Sequence, residues 1–88
     1  MKSFQIEFKQ SVGKDLRKIS PDLRDKIINK TEELTQFPKV SAIKKLQNTT
    51  TLYRKRVGEY RIIFQVLNDE RKIIIYHIRH RKIAYKDL

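Results

Sequence analysis

The feature that most constrains the fold is a run of three strand-like segments in the second half of the chain. The segments read LYRKRV, YRIIFQVL and KIIIYHIRH, and they are rich in β-branched and aromatic residues. The pair GE and the stretch NDER separate them, and both are short and typical of turns. Strands joined so closely pair with their neighbours along the chain, so this region predicts an antiparallel meander.

The first half of the chain has a different pattern. SFQIEF alternates apolar and polar residues, which predicts a short strand, and VGKDLRKI spaces its apolar residues as an amphipathic helix does. Ser20 can cap a second helix that begins at Pro21, and the pair FP ends that helix before Pro38. The segment from Val40 to Thr51 lacks a clear period and contains QNTTT, so we interpret it as a loop.

Together these elements predict an α+β fold, with a small antiparallel sheet of about four strands packed on one face by an N-terminal two-helix hairpin. At 88 residues we expect one domain over 1–88. The chain has no cysteine, which excludes disulfides and thiolate metal sites and fits a reducing cytoplasm. It also lacks a signal-peptide pattern and any apolar run near the roughly 20 residues that cross a bilayer. We therefore expect a soluble, cytoplasmic protein with no membrane partner.

The balance of charge points to a polyanionic partner. The formal net charge is +11 and the isoelectric point is about 10.1. Such values on one small domain are typical of nucleic-acid binding, although they also occur in proteins that are basic for solubility.

Strand alternation indicates where the cations lie if the helices cover only one face of the sheet. Arg54 and Arg56 share a face of their strand, and Arg61 lies opposite the apolar side of the next strand. In the last strand, alternation gives two sets, one with His77, Arg79 and Arg81 and one with Ile78 and His80, and it does not decide which set faces outward. Arginines on an open sheet face predict a site that grips a phosphodiester, because guanidinium groups match phosphate geometry.

The segment LYRKRVGEYRIIFQVLNDERKIIIYHIRHRKIAY resembles the C-terminal half of the RelE/ParE superfamily of type II toxins. RVGEYRIIF and HRKIAY are its most specific parts, and the order strand, helix, proline, helix extends the resemblance over nearly the whole chain. The resemblance implies a four-stranded sheet with two N-terminal helices. For the RelE branch it implies an endonuclease that cuts messenger RNA in the ribosomal decoding site and is silenced by an antitoxin. The ParE branch shares the fold but targets DNA gyrase.

The resemblance also implies site residues. The positions that match the nuclease motif are Arg54, Arg56, Arg61, Arg81 and Tyr85, with His80 at a basic position before Arg81. We expect Arg61 and Arg81 to stabilise the charge of the transition state, and Tyr85 to stack on a base or orient the phosphate. Arg54 and Arg56 would hold flanking phosphates, and Lys55 and Arg79 would add to phosphate binding.

The general base is less clear from the sequence. The family pattern has a lysine where this chain has Arg56, and an arginine side chain does not readily give up a proton. His80 is the better candidate, because an imidazole exchanges protons near neutral pH. His77 lies inside the predicted strand and is the weaker of the two histidines.

These observations lead to one main hypothesis and two alternatives. The main hypothesis is the toxin of a type II toxin-antitoxin system, a metal-independent endoribonuclease that needs no cofactor and cuts messenger RNA on the ribosome by attack of the 2′-hydroxyl. Its partners would be a cognate antitoxin, in a hetero-oligomer, and ribosome-bound messenger RNA. The alternatives are a gyrase inhibitor of the ParE type on the same fold and a basic binding module without catalysis.

Overall fold

The computed structural model describes residues 3–84. The first half contains strand β1 (Gln5–Phe8), helix α1 (Gln10–Arg17), helix α2 (Pro21–Glu32) and a 3₁₀ turn (Glu33–Gln36). Pro21 occupies the first turn of α2, as predicted, although the Ser20 side chain makes no capping hydrogen bond. None of the helices in this part of the chain is long and apolar enough to cross a membrane.

The second half forms most of the sheet. Its strands are β2 (Ile43–Lys45), β3 (Leu52–Val57), β4 (Tyr60–Leu67) and β5 (Lys72–His80). The sheet has five strands in the order β1-β5-β4-β3-β2. The predicted antiparallel meander is the β3-β4-β5 unit, so the α+β prediction is confirmed, with one more strand than expected.

The two edge strands account for the difference from the predicted sheet. β1 pairs with β5 in parallel, so the sheet is mixed. β2 lies within the segment interpreted as a loop and pairs with β3 in antiparallel. A strand of only three residues is too short to show a recognisable alternation, and parallel pairing between the two ends of a chain leaves no local sequence signal.

The hydrophobic core lies between the helices and one face of the sheet. The buried side chains from the helical layer are Val12, Ile19, Ile27 and Leu34, and those from the sheet include Ile62, Phe64, Val66, Ile73, Ile75 and Ile78. Phe37 adds edge-to-face contacts with Phe4, Tyr53 and Phe64 at centroid distances of 5.1 to 6.1 Å. Covering one face in this way leaves the other face of the sheet as the open face.

A bulge in β5 decides which of its side chains reach the open face. Ile63 pairs with His77 and Phe64 pairs with Ile75, so Tyr76 is an extra residue without a partner in β4. Such an insertion reverses the alternation of the strand beyond it. The side chains of His77 and Arg79 therefore lie on the open face, whereas Ile78 and His80 lie on the helical side.

Candidate nucleic-acid interface

Three arginines lie opposite one another on the open face, and we call Arg56, Arg61 and Arg79 the arginine row. Arg56 of β3 pairs with Arg61 of β4, and Arg61 pairs with Arg79 of β5. Neighbouring strands lie about 4.8 Å apart, and like charges in directly opposite positions destabilise a sheet. An anion bound between the guanidinium groups offsets that repulsion, so the row suits a phosphate.

Arg61 of this row and the nearby Arg54 contact backbone carbonyl groups. Arg61 Nη1 donates to the carbonyl oxygen of Gly58 at 3.1 Å and to that of Tyr60 at 3.0 Å. Arg54 Nη1 lies 3.4 Å from the carbonyl oxygen of Ala42. A carbonyl oxygen orients a guanidinium without neutralising it, so Arg54 and Arg61 keep their full charge for a ligand.

A second row lies one step along the strands. Arg54 pairs with Ile63, Ile63 pairs with His77, and Lys44 of β2 pairs with Arg54. Ile63 is fully buried although it points to the open face. The structure thus brings together Arg54, Arg56 and Arg61, which alternation and the family pattern placed on one face, and adds Arg79, Lys44 and His77.

His80 does not lie with these residues. It pairs with Tyr60 on the helical side of the sheet, where the two rings meet edge to face at 5.6 Å. Its Nδ1 accepts a hydrogen bond from the backbone N–H of Lys82 at 3.3 Å. The histidine on the arginine face is therefore His77 and not the expected His80, because the bulge reverses the alternation of β5.

Arg81 follows the last residue of β5 in the sequence. Arg81 is exposed, and its Nε is 2.8 Å from Glu59 Oε2 in the β3-β4 turn. Its backbone N–H also donates to the Glu59 carbonyl oxygen at 2.7 Å, which ties the chain after β5 to that turn. Tyr85 lies outside the described residues, so its predicted role in stacking or orientation stays a prediction.

Lys55 is the one predicted phosphate-binding residue that the structure places inside the protein. Its side chain is 2% exposed on the helical side of the sheet. Lys55 Nζ donates to the Ser41 carbonyl oxygen at 2.8 Å and lies 3.7 Å from Glu33 Oε1. The expectation of phosphate binding by Lys55 is corrected, because strand alternation turns it away from Arg54 and Arg56.

A cleft of about 770 Å³ borders the second row. Its lining residues are Asn48, Thr49, Thr50, Thr51, Leu52, Gln65, Tyr76 and His77. Tyr76 donates its hydroxyl proton to Gln65 Oε1 at 3.1 Å, and Gln65 Nε2 lies 3.3 Å from Thr51 Oγ1. These hydrogen bonds among Tyr76, Gln65 and Thr51 hold the polar wall of the cleft in place. The wall lies next to the cations that would bind the backbone of a nucleic acid.

Sequence reasoning missed Asp15 of α1. Its carboxylate lies 3.5 Å from His77 Nδ1 and 4.0 Å from Arg79 Nε, and its side chain is 12% exposed. An acidic residue on a basic amphipathic helix looks like a solvated position, and nothing in the sequence links α1 to β5. Within residues 3–84, no group of three or more histidine, aspartate or glutamate side chains is placed to hold a metal ion.

Comparisons with known proteins agree on one family. Residues 6–85 match the family model described as the ParE toxin of type II toxin-antitoxin systems. RelE1 of Methanocaldococcus jannaschii is 36% identical over 87 residues, which cover 96% of this chain and 97% of that protein.

Solved structures of RelE proteins resemble this fold. The RelB-RelE antitoxin-toxin complex of Methanococcus jannaschii superposes with a TM-score of 0.75 at 29% identity, covering 93% of this chain and 98% of the other. The RelBE2 toxin-antitoxin complex of Mycobacterium tuberculosis gives a TM-score of 0.78 at 20% identity, with coverage of 90% and 99%. The second likeness supports the fold alone.

Proposed function

The chain belongs to the ParE toxin family of type II toxin-antitoxin systems, and we propose that it is an endoribonuclease that cuts messenger RNA on the ribosome. The observation that carries this proposal is the arginine row. Three arginines in directly opposite strand positions bring like charges together, and the Asp15 carboxylate lies 4.0 Å from Arg79. A phosphodiester with its developing negative charge would offset the remaining repulsion.

The proposed chemistry uses the 2′-hydroxyl of the RNA as the nucleophile. Its oxygen attacks the adjacent phosphorus, the bond to the 5′-oxygen breaks, and a 2′,3′-cyclic phosphate forms. Arg61, at the centre of the row, stabilises the equatorial oxygens of the transition state together with Arg79. Arg56 and Arg54 hold neighbouring phosphates in register. The sequence favours His80 as the general base, but His80 lies on the helical side of the sheet. We therefore propose His77, which lies on the open face, as the general base.

The proposed partners are an antitoxin and the ribosome. RelE of Methanococcus jannaschii is known in a complex with its antitoxin RelB. By analogy, we expect this chain to pair with a cognate antitoxin of acidic character, which would neutralise the open face until it is released. Action on ribosome-bound messenger RNA implies a cytoplasmic protein.

A second candidate is inhibition of DNA gyrase. The matching family model is named for the ParE toxin. The sequence resemblance links the ParE branch of the superfamily to DNA gyrase. A gyrase inhibitor needs no cluster of cations aligned on one open face, so the arginine row favours the nuclease.

The test is induced expression followed by mapping of messenger RNA 5′ ends across the transcriptome. Wild type is compared with Arg61→Ala, Arg79→Ala and the control Lys26→Ala, which removes an exposed cation of α2, the helix that packs on the core side of the sheet. We expect cuts at a fixed position within in-frame codons, reduced about 100-fold or more in the first two variants and unchanged in the control. Growth arrest with blocked supercoiling and no codon-linked cuts would instead establish the gyrase inhibitor.

A further inference from the structure

Helix α1 replaces a missing strand along part of the edge of β5. β1 pairs with β5 only as far as Ile75, so the following residues have no strand beside them on that side. Ser11 Oγ donates to the Tyr76 carbonyl oxygen at 2.6 Å, and Asp15 Oδ2 accepts from the Ile78 N–H at 2.9 Å. Two side chains of one helix thus satisfy the open backbone groups that an edge strand leaves.

Asp15 makes further contacts that Ser11 does not. The oxygen that accepts from Ile78 lies 3.5 Å from His77 Nδ1, and the other carboxylate oxygen lies 4.0 Å from Arg79 Nε. His77 and Arg79 flank Ile78 along β5, and both point to the open face. The His77 side chain is 17% exposed and that of Asp15 is 12% exposed, so the pair is largely shielded from water. Asp15 therefore links α1 to two side chains of the candidate site.

The burial of His77 Nδ1 indicates where the imidazole proton lies. Nδ1 is buried and has no hydrogen-bond partner among residues 3–84, and the Asp15 carboxylate is the acidic group beside it. An unprotonated nitrogen there would direct its lone pair at a carboxylate, which is repulsive, so the favoured tautomer carries the proton on Nδ1. The other ring nitrogen, Nε2, is then an acceptor, and the ring borders the cleft one step along the strands from the arginine row.

We infer that Asp15 is a positioning residue and that it holds His77 as the proton acceptor for the reaction, an inference that rests on the proposed nuclease function. The 2′-hydroxyl proton passes to His77 Nε2 as the 2′-oxygen bonds to phosphorus. The bond from phosphorus to the 5′-oxygen breaks, and that oxygen takes a proton from solvent. The imidazolium later returns its proton to solvent, so protons balance over the cycle. The carboxylate stabilises the imidazolium between these steps.

The matched variants are Asp15→Asn and Ser11→Ala. Asparagine keeps an oxygen for the Ile78 N–H but loses the negative charge beside His77, whereas Ser11→Ala removes a strand-edge contact of the same helix without touching His77. In single-turnover cleavage of messenger RNA on programmed ribosomes, we expect Asp15→Asn to slow cleavage about 10- to 100-fold with the binding constant nearly unchanged. Ser11→Ala should remain within about threefold of wild type.

A double-mutant cycle tests whether Asp15 acts through His77. We expect His77→Ala to lower the rate at least as far as Asp15→Asn, and the double variant to be no slower than His77→Ala alone. Equal losses in Ser11→Ala and Asp15→Asn would overturn the proposal, because they would mean that only the strand edge matters. Losses that multiply in the double variant would overturn it as well.

The His77 tautomer gives a readout that does not depend on catalysis. Nitrogen-15 NMR of the histidine side chains in the full chain should show His77 protonated at Nδ1 in wild type and shifted toward Nε2 in Asp15→Asn. If the wild-type protein cleaves RNA while His77 is protonated at Nε2, the proposal that Asp15 positions His77 is wrong. If the wild-type protein has the Nδ1 tautomer but cleaves no RNA in any ribosome assay, the nuclease function on which the inference rests is wrong.

Discussion

At the level of single residues, Lys55 departs most from what its neighbours suggest. It lies between two arginines of β3 that point to the open face, yet it is buried on the helical side. The Ser41 carbonyl oxygen and the Glu33 carboxylate compensate its charge. A buried ammonium needs such partners, because removing a charge from water is costly. Lys55 is thus a structural cation that secures the segment before β2 to the sheet.

Glu33 provides a pH-dependent test of this arrangement. The hydrogen bond from Lys30, with a smaller contribution from Lys55, lowers the pKa of the Glu33 carboxyl below its ordinary value of 4.5. A lowered pKa in the folded state contributes stability that is present above the ordinary pKa and is lost as the pH falls through the folded value. Glu33→Gln should therefore lower the free energy of unfolding at pH 7, by at most about 1 kcal/mol because the side chain is 44% exposed.

Urea unfolding at pH 7 and at pH 3 measures the effect. The difference in the free energy of unfolding between wild type and Glu33→Gln should be smaller at pH 3, where the carboxyl group of Glu33 is increasingly protonated. Glu32→Gln is the matched control, because the neighbouring Glu32 makes no ion pair with any residue in 3–84 and should change stability little. A difference that persists undiminished at pH 3 would mean that the charge of Glu33 is not the cause.

Among the elements, the β3-β4 hairpin depends on the conformation of one glycine. Gly58 has a φ of +57° and is the first of the two turn residues between β3 and β4. A positive φ at this position is typical of the two-residue turns that match the twist of paired strands. The turn sets the register that places Arg56 opposite Arg61, and its carbonyl oxygen accepts a hydrogen bond from Arg61.

Alanine substitutions at the two glycines should have opposite effects. A Cβ added at Gly58 or at Gly13 meets no atom within 4 Å, so packing does not contribute at either position. Gly58→Ala should destabilise the protein by about 1 kcal/mol, because an L side chain disfavours a positive φ. Gly13→Ala, inside α1, should stabilise it by about 0.5–1 kcal/mol through the lower entropy of the unfolded chain. Thermal unfolding of both variants measures the contrast, and destabilisation of similar size in both would contradict it.

For the whole molecule, the distribution of its net charge of +11 matters more than the total. The open face presents the arginine row together with Arg54 and Lys44, and α2 covers the other face of the sheet. Each cation that contacts a phosphate releases condensed counterions, so nucleic-acid affinity reports on those contacts through its salt dependence.

The salt dependence of binding to single-stranded RNA should therefore identify the binding face. Arg56→Gln should weaken binding and reduce the slope of log K against log salt by about 0.7, the value for one contact with a single strand. Lys26→Gln, which removes an exposed charge of α2, should leave the slope unchanged. Fluorescence anisotropy titrations at several salt concentrations measure both variants. Equal changes in slope would show that the charge acts through the molecule as a whole and not through the open face.

Much of the fold could be read from local patterns, because short turns and strand alternation act over a few residues. The β3-β4-β5 meander, the two helices and the outward direction of Arg54, Arg56 and Arg61 are of this kind. His80, which sequence reasoning misplaced, lies beyond a point where this alternation is interrupted. Tyr76 adds a bulge to β5, so the alternation that holds before it is reversed after it.

The sequence by itself determined the α+β class, the β3-β4-β5 meander and the cationic character of one sheet face, since these follow from periodicity and composition. Only the tertiary structure decided that His77 and not His80 joins the arginines, that Lys55 is enclosed, and that Asp15 of α1 reaches the site from the strand edge. The reason is physical: strand pairing fixes which residues of distant segments lie opposite each other. Contacts between segments more than 60 residues apart leave no trace in the local pattern of either one.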